Sequence, residues 1–291
     1  MNRPSLILLV GIPGSGKTTY AENYNLVRPN IHLSSDLIRK ELWGNEATQG
    51  DNNEVFSLMQ YRAIEALNNG KTVIYDATNI TRKDRSYIIS LCPKFVKIEC
   101  HIIWAPIETC IERDAARERT VGKEVIDRML KRFQAPWYDE GIDEIVTVWN
   151  TNAGFSQEAY VNSLINATDI PHDNPHHTLN IKEHCNEAYR YAIKNSFPSY
   201  MLMAAKYHDI GKPYVKAFID SKGNPSEHAH YYQHQCVSTW MYYGIDKWNF
   251  FTAWLISTHM DPYLNTKYYN KLPAYLKHKV DLLHEADLNA H

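Results

Sequence analysis

Ser5-Leu-Ile-Leu-Leu-Val10 runs straight into Gly11-Ile-Pro-Gly-Ser-Gly-Lys-Thr18. The first piece is a short continuous apolar run, which suits a strand buried on both faces. The second matches G-x-x-x-x-G-K-[ST] in full. Its glycines let successive backbone N–H groups point inward as a nest for phosphate oxygens. Lys17 then reaches the β- and γ-phosphates, Thr18 binds Mg²⁺, and the helix that follows adds its positive N-terminal end. A plain Gly-rich turn is the competing reading. The strand before the motif and a helix over 18–25 after it are the context that separates the two. The expected ATP-binding set is Gly11, Gly14, Ser15, Gly16, Lys17, Thr18 and Thr19.

Strand and helix patterns alternate outward from this loop. A strand is expected over 31–36, ending in Asp36, and a helix over 37–42. Helix 54–68, closed by Gly70, strand 72–77 and helix 82–91 come next. Strand 96–105, helices 107–119 and 124–133, and strand 144–149 complete the half. Such alternation implies a parallel sheet with helices on both faces and ligands at the carboxyl ends of the strands, where Asp36 and Asp76 fall.

The chain has 291 residues, 44% hydrophobic and 22% charged, with net charge -2. This composition excludes disordered and collagen-like classes, and no apolar run approaches the ~20 residues that span a bilayer. A secretory signal pattern is absent, and the five cysteines form no C-x-x-C pair. An intracellular, cytoplasmic protein with no membrane partner is expected. The informative imbalance is elsewhere: 12 of 14 histidines follow residue 150 and 11 of 12 arginines precede it. Charges nearly cancel in both halves, so any nucleic-acid contact must be local. One half looks equipped to hold phosphate, the other metal.

Three features of the first half favour phosphotransfer over a motor ATPase. Asp36-Leu-Ile-Arg39 sets a carboxylate and a guanidinium three residues apart, to accept a hydroxyl proton and to grip an anionic acceptor. Capping the next helix is the other role open to Asp36. Asp76-Ala-Thr-Asn79 ends a strand with small polar groups, suited to placing the acceptor or a metal, or to a simple turn. Arg113-Asp-Ala-Ala-Arg117 sets two arginines on one helix face, as lid residues over the transferring phosphate or as members of a solvated ion-pair face.

Taken together, Gly11–Thr18, Asp36-x-x-Arg39, Asp76-Ala-Thr-Asn79 and Arg113-x-x-x-Arg117 resemble the polynucleotide 5′-hydroxyl kinases of phage and bacterial RNA repair. The likeness covers roughly residues 1–150, about one domain's length. It implies that Asp36 is the general base on the 5′-hydroxyl and that Arg39 binds the acceptor nucleotide's phosphate. Asp76, Thr78 and Asn79 line the acceptor, while Lys17 and Arg117 stabilise the transferring phosphoryl group, with Arg113 assisting. ATP and Mg²⁺ are the implied cofactors.

Beyond residue 150 a linker with a short amphipathic helix (157–165) leads to helical patterns at 181–194, 200–206, 233–242, 250–257 and 273–285. Histidines cluster on these: His184, the adjacent His208-Asp209, His230 and His234, and His259, with Asp287 near the end. Imidazole and carboxylate donors without cysteine suit Mn²⁺, Fe or Zn²⁺ and argue against a structural zinc. This H…HD…H…H…D pattern resembles the HD phosphohydrolases over roughly 172–291. The resemblance implies one metal on His184, His208, Asp209 and Asp287, and a second on His234 and His259 with Asp209 bridging. The metal would be a divalent transition ion such as Mn, Fe, Ni, Co or Zn. Lys212 would steady the substrate phosphate and His230 would contact it. His172, His176 and His177 are expected in a loop, with surface or supporting roles.

The expected architecture is therefore an α/β P-loop kinase domain (1–152), a linker (153–171) and an all-α HD phosphohydrolase domain (172–291). The pairing resembles the kinase–HD end-healing enzymes of bacterial RNA repair. It implies ATP-dependent phosphorylation of 5′-hydroxyl RNA or DNA ends, removal of 2′,3′-cyclic or terminal phosphates, and an RNA ligase as partner. The alternatives are a small-metabolite or nucleoside kinase joined to a nucleotidase, and a nucleotide-sensing P-loop module regulating the HD enzyme.

Overall fold

The computed structural model describes residues 3–28, 30–45, 50–175 and 178–290. His176 and His177 lie outside the described residues. Cα packing divides the chain into two compact units, Met1–Met129 with Pro136–Asn152, and Leu130–Ala135 with Ala153–His291.

The first unit runs β1 (Ser5–Val10), α1 (Lys17–Val27), β2 (Ile31–Ser34), α2 (Ser35–Trp43), α3 (Asn52–Asn68), β3 (Val73–Asp76), α4 (Arg82–Leu91), β4 (Lys97–Trp104), α5 (Ile107–Ala115), α6 (Lys123–Leu130) and β5 (Glu144–Trp149). The strands form one parallel sheet in the order β2-β3-β1-β4-β5. Central β1 is buried throughout, as its unbroken apolar run requires. Helix α3 buries Val55, Met59, Ala63 and Leu67, a four-residue spacing that keeps one face on the core. This is a parallel-sheet P-loop kinase fold, with β1 delivering the phosphate loop.

Of the boundaries that differ from expectation, two move site residues. β2 stops at Ser34, so Asp36 sits in the first turn of α2 rather than at a strand end. Helix α5 stops at Ala115, not 119. The buried Asp114 carboxylate accepts hydrogen bonds from Thr120 Oγ1 (2.8 Å), Val121 N (3.1 Å) and Gly122 N (2.9 Å), drawing the chain back on itself. Arg113 and Arg117 consequently do not share a helix face.

The second unit holds α7 (Gln157–Ala167), α8 (Ile181–Lys194), α9 (Ser199–Tyr207), α10 (Lys212–Val215), β6 (Ala217–Ile219), β7 (Pro225–His230), α11 (His234–Tyr242), α12 (Phe250–Thr258), α13 (Asp261–Leu264), α14 (Thr266–Tyr269) and α15 (Ala274–Leu288). The all-α expectation needs one correction, because β6 and β7 pair as an antiparallel hairpin. Its turn is organised by Asp220, which accepts from the Lys222 and Asn224 amides, with Gly223 at φ 87°. That is turn chemistry written in the residues themselves.

The unit's core is built around α11, buried along its whole length, and α12, buried from Thr252 to Thr258. Leu130–Ala135 completes it. Phe133 is fully buried, its ring 5.1 Å from Trp240 and 6.1 Å from Tyr243, both edge-to-face. The Ala135 amide donates to Ser257 Oγ at 3.2 Å. Among the described residues no helix is long and apolar enough to cross a membrane.

Candidate functional site

The phosphate loop is shaped by two close approaches. Gly14 has φ 78°, and a Cβ there would lie 2.1 Å from the Cys110 carbonyl oxygen. Gly16 has φ 93°, and its Cβ would meet Asn150 Nδ2 at 1.8 Å. Only glycine meets both the conformational and the steric demand at these positions. Asn150 Nδ2 donates to the Ser15 carbonyl at 2.8 Å, bracing the loop from the end of β5. Ser15 is fully buried, whereas Thr19 is exposed. Lys17 Nζ donates to the Gly11 and Ile12 carbonyls at 2.9 and 3.0 Å. Burial pulls the Lys17 pKa below its ordinary value, opposed chiefly by the Asp76 carboxylate.

Asp76 belongs to this loop in space. Its Oδ2 accepts from Thr18 Oγ1 at 3.0 Å and lies 3.1 Å from His32 Nε2. The pairing of the P-loop threonine with a strand-end carboxylate is the donor set that P-loop enzymes use for Mg²⁺. Asn79 is engaged by the backbone. It is buried at φ 45°, and its Nδ2 donates to the carbonyls of Leu9 (2.8 Å) and Ala77 (3.3 Å), tying β1 to the end of β3. Thr78 is half-buried, and its carbonyl accepts the Gly11 amide at 3.1 Å.

On α2, Arg39 NH1 donates to Asp36 Oδ1 at 2.9 Å, and its NH2 to Asn52 Oδ1 at 2.9 Å. Arg119 NH1 lies 3.6 Å from the same Asp36 oxygen. Arg117 is exposed in the loop beyond α5, and its charge bears on Lys17. Arg113 faces elsewhere: it donates to the Asn150 carbonyl and to Asn152 Oδ1, both at 2.9 Å. These contacts brace the segment after β5. Hydrogen bonds hold the Asp114 carboxyl below its usual range despite a desolvation effect that alone would raise it.

The second unit gathers His184, His208, Asp209 and Asp287 into one group and Asp209, His234 and His259 into another, with all candidate donor atoms of each within 4.8 Å of one another. The amphipathic pattern of α8 explains the first donor. Asn180 and Glu183 form a capping box that fixes the helix start, and the buried stripe Ile181, His184, Cys185, Ala188, Ala192 carries His184 inward. His208 and His259 cap the C-terminal ends of α9 and α12, and His234 opens α11.

All four imidazoles share one arrangement. Their Nδ1 atoms face backbone carbonyls: Ala290 for His184 (3.0 Å), Ala205 for His208 (2.8 Å), Tyr231 for His234 (2.9 Å) and Ile256 for His259 (2.8 Å). A carbonyl can only accept, so the proton resides on Nδ1 and each Nε2 presents a lone pair when the ring is neutral. These Nε2 atoms then face one another, His184 to His208 at 3.3 Å and His234 to His259 at 3.2 Å.

The carboxylates complete the groups. Asp287 Oδ1 is 2.9 Å from His184 Nε2, and Asp209 Oδ1 is 3.1 Å from His234 Nε2. Both Asp209 oxygens are buried without a well-directed hydrogen bond. Imidazole Nε2 atoms gathered around a buried carboxylate form a donor set that a divalent cation satisfies, with carbonyls orienting the imidazoles.

Burial opposes charge on His208, yet Asp209 beside it holds its pKa well above the ordinary value. Burial and the neighbouring His234 push His259 down to about 3, which keeps it neutral and a donor to metal.

Lys212 Nζ is ion-paired to Asp209 Oδ2 at 2.5 Å and lies 3.3 Å from His172 Nε2. His172 is buried rather than at the surface, with Nδ1 on the Leu179 carbonyl at 2.8 Å. His230 stands apart from both donor groups. Its ring stacks on Tyr232 at 5.3 Å, and Nε2 lies 3.2 Å from Ser226 Oγ on the hairpin. Arg119, Asp114, Asn150 and His172 thus all gain positions that spacing alone did not assign; only the arginine density around Arg119 was a signal.

Residues 6–136 match the family described as AAA domain. Transcription factor bHLH140 of Arabidopsis thaliana is 26% identical over 150 residues, 48% of this chain and 15% of that protein. The L-seryl-tRNA(Sec) kinase of Methanococcus maripaludis is 29% identical over 145 residues, covering 45% and 53%. The bifunctional polynucleotide phosphatase/kinase of Schizosaccharomyces pombe is 25% identical over 149 residues, covering 49% and 33%. The chain spans about half or less of the length of these curated relatives. A chain of the Pnkp1/Rnl/Hen1 RNA repair complex is similar with TM-score 0.41 at 23% identity, over 45% of this chain and 44% of that one.

Proposed function

We propose, from a P-loop kinase fold whose relatives include a tRNA kinase and a polynucleotide phosphatase/kinase, that this chain heals nucleic-acid ends with two separate sites. The first transfers the γ-phosphoryl group of ATP to a 5′-hydroxyl. The second hydrolyses a 2′,3′-cyclic or terminal phosphate. The observation that carries the kinase half is the Asp36–Arg39 pair, a carboxylate and an anion grip 2.9 Å apart beside the phosphate loop.

In the transfer step the acceptor oxygen forms a bond to the γ-phosphorus as its proton passes to Asp36. The bond from phosphorus to the β–γ bridging oxygen breaks, and ADP carries away that electron pair. The described guanidinium contacts fall on Asp36 Oδ1, so the proton goes to Oδ2. Lys17 and the loop amides hold the phosphates, and Arg117 offsets charge on the transferring group. Thr18 and Asp76 would hold Mg²⁺, which when bound neutralises phosphate charge.

In the second site His184, His208, Asp209 and Asp287 would hold one divalent transition metal, and Asp209, His234 and His259 another. Such ions supply acidity to water and draw charge from phosphoester oxygens. Lys212, anchored on Asp209, places a further cation beside them. The two chemistries are complementary: breakage that leaves a 5′-hydroxyl and a cyclic phosphate must be converted to a 5′-phosphate and a 3′-hydroxyl before a ligase partner can act.

The test is transfer of labelled γ-phosphate from ATP to 5′-hydroxyl RNA and DNA oligonucleotides, with release of phosphate from 2′,3′-cyclic ends measured in parallel. Wild type should do both, Asp36→Asn should lose transfer, and Asp209→Ala should lose only hydrolysis. Transfer confined to nucleosides or small metabolites would overturn the end-healing reading.

A further inference from the structure

Arg117 and Arg119 are two residues apart, and each bears on a different charged group of the kinase site. The Arg117 charge acts on Lys17, on the side of the donor phosphates. Arg119 NH1 approaches Asp36 Oδ1 at 3.6 Å, the oxygen that Arg39 NH1 already contacts at 2.9 Å. One carboxylate therefore carries two guanidinium groups, and this end of the site keeps a positive charge that its base does not neutralise. Asp36 is 51% exposed and Arg119 29%, so an incoming solute meets both. The loop bearing Arg119 is held closed by Asp114, whose carboxylate accepts from Thr120, Val121 and Gly122. Arg119 is thus presented by a loop whose closing end is fixed.

Two guanidiniums sharing one carboxylate suit an acceptor that carries its own anion close to the reacting hydroxyl. Guanidinium forks match phosphate oxygens in geometry and charge. Resting on the 5′-hydroxyl kinase reading, we infer that Arg119 is a specificity-determining residue. With Arg39 it clamps the phosphate adjoining the nucleoside that bears the 5′-hydroxyl. This contact sets how far an acceptor carrying that phosphate is preferred over a free nucleoside. Arg119 turns from Asp36 Oδ1 to the phosphate as the acceptor enters, while Oδ2 takes the hydroxyl proton.

The experiment compares kcat/KM for adenosine 3′-monophosphate and adenosine as acceptors, with ATP and Mg²⁺, in wild type and in Arg119→Ala, Arg119→Lys and Arg119→Glu. Thermal melts verify that each variant folds. Wild type should prefer the 3′-phosphate. Arg119→Ala should shrink that preference roughly tenfold through KM of the phosphorylated acceptor, Arg119→Lys should retain part of it, and Arg119→Glu should remove it. An unchanged ratio in Arg119→Ala, or a fall in kcat equal for both acceptors, overturns the assignment and leaves the kinase reading standing. If wild type phosphorylates neither compound, the 5′-hydroxyl reading itself fails and this inference fails with it.

Discussion

In the first unit the groups that would face ATP phosphates lie within Gly11–Thr18, and many are backbone amides. In the second, six donor side chains arrive from five helices spread between His184 and Asp287. The first site is a local conformation, held by Gly14 and Gly16 and braced by Asn150. The second is a product of packing, since its geometry exists only when α8, α9, α11, α12 and α15 meet. A local site tolerates change in its surroundings and fails when its own residues change. A packed site is exposed to any substitution that shifts its helices.

The sharpest way to break this comparison is to cross the two activities. Lys17→Ala should lower 5′-phosphorylation by roughly 10²- to 10⁴-fold and leave cyclic-phosphate hydrolysis within twofold. Asp209→Asn should do the reverse, with a loss of at least about a hundredfold, and metal analysis should find both ions depleted. A joint loss in either variant would mean that the two sites are not chemically separate.

Phe133→Ala tests the packed character of the second site. Removing a fully buried ring between Trp240 and Tyr243 should cost about 3–5 kcal/mol in urea unfolding of that unit. Ligand affinity at the P-loop should hold. A loss under 1 kcal/mol would show that residues 130–135 are not part of that core.

His172 supplies a pH test. Burial, reinforced by the Lys212 charge, pushes its pKa down to about 4 from the ordinary 6.5. A folded-state pKa below the unfolded one means that the unfolded chain takes up the proton first. Stability is full above about pH 6.5 and declines as pH falls toward 4, by up to about 3 kcal/mol for this group. Denaturation curves of metal-stripped wild type and His172→Asn should converge across that window; parallel curves would remove His172 from the account.

The smallest expected effect is at Asp114. Asp114→Ala frees Thr120, Val121 and Gly122, and should lower phosphoryl transfer about tenfold, or 1.4 kcal/mol, while ATP binding stays near wild type. Unchanged turnover would show that the loop needs no anchor.

Legibility followed the same division. The strand, the loop and the alternation after them were readable because a strand's apolar run and a nest's glycines are properties of neighbouring residues. The donor types of the second site were readable for a related reason, since histidines on separate helices are conspicuous in composition. The β6–β7 hairpin was overlooked although the turn around Gly223 carried its signal. The tie of Asn79 to Leu9 was not readable, because the two are far apart in sequence and such a tie leaves no local pattern. The end of α5 was not readable either, because it depends on how Asp114 bonds to residues six to eight positions later.

By itself, then, the sequence determined the P-loop strand–turn–helix, the parallel alternation around it and the identity of the donors crowded into the second half. Each follows from chemistry among residues close along the chain. Tertiary structure alone decided which arginine reaches Asp36, that Asp76 turns to Thr18, and that Phe133 belongs to the core beside the metal-type site. It also decided that four imidazoles turn Nε2 inward. Those outcomes depend on carbonyls and side chains brought together by packing, where distance along the chain no longer says which groups will meet.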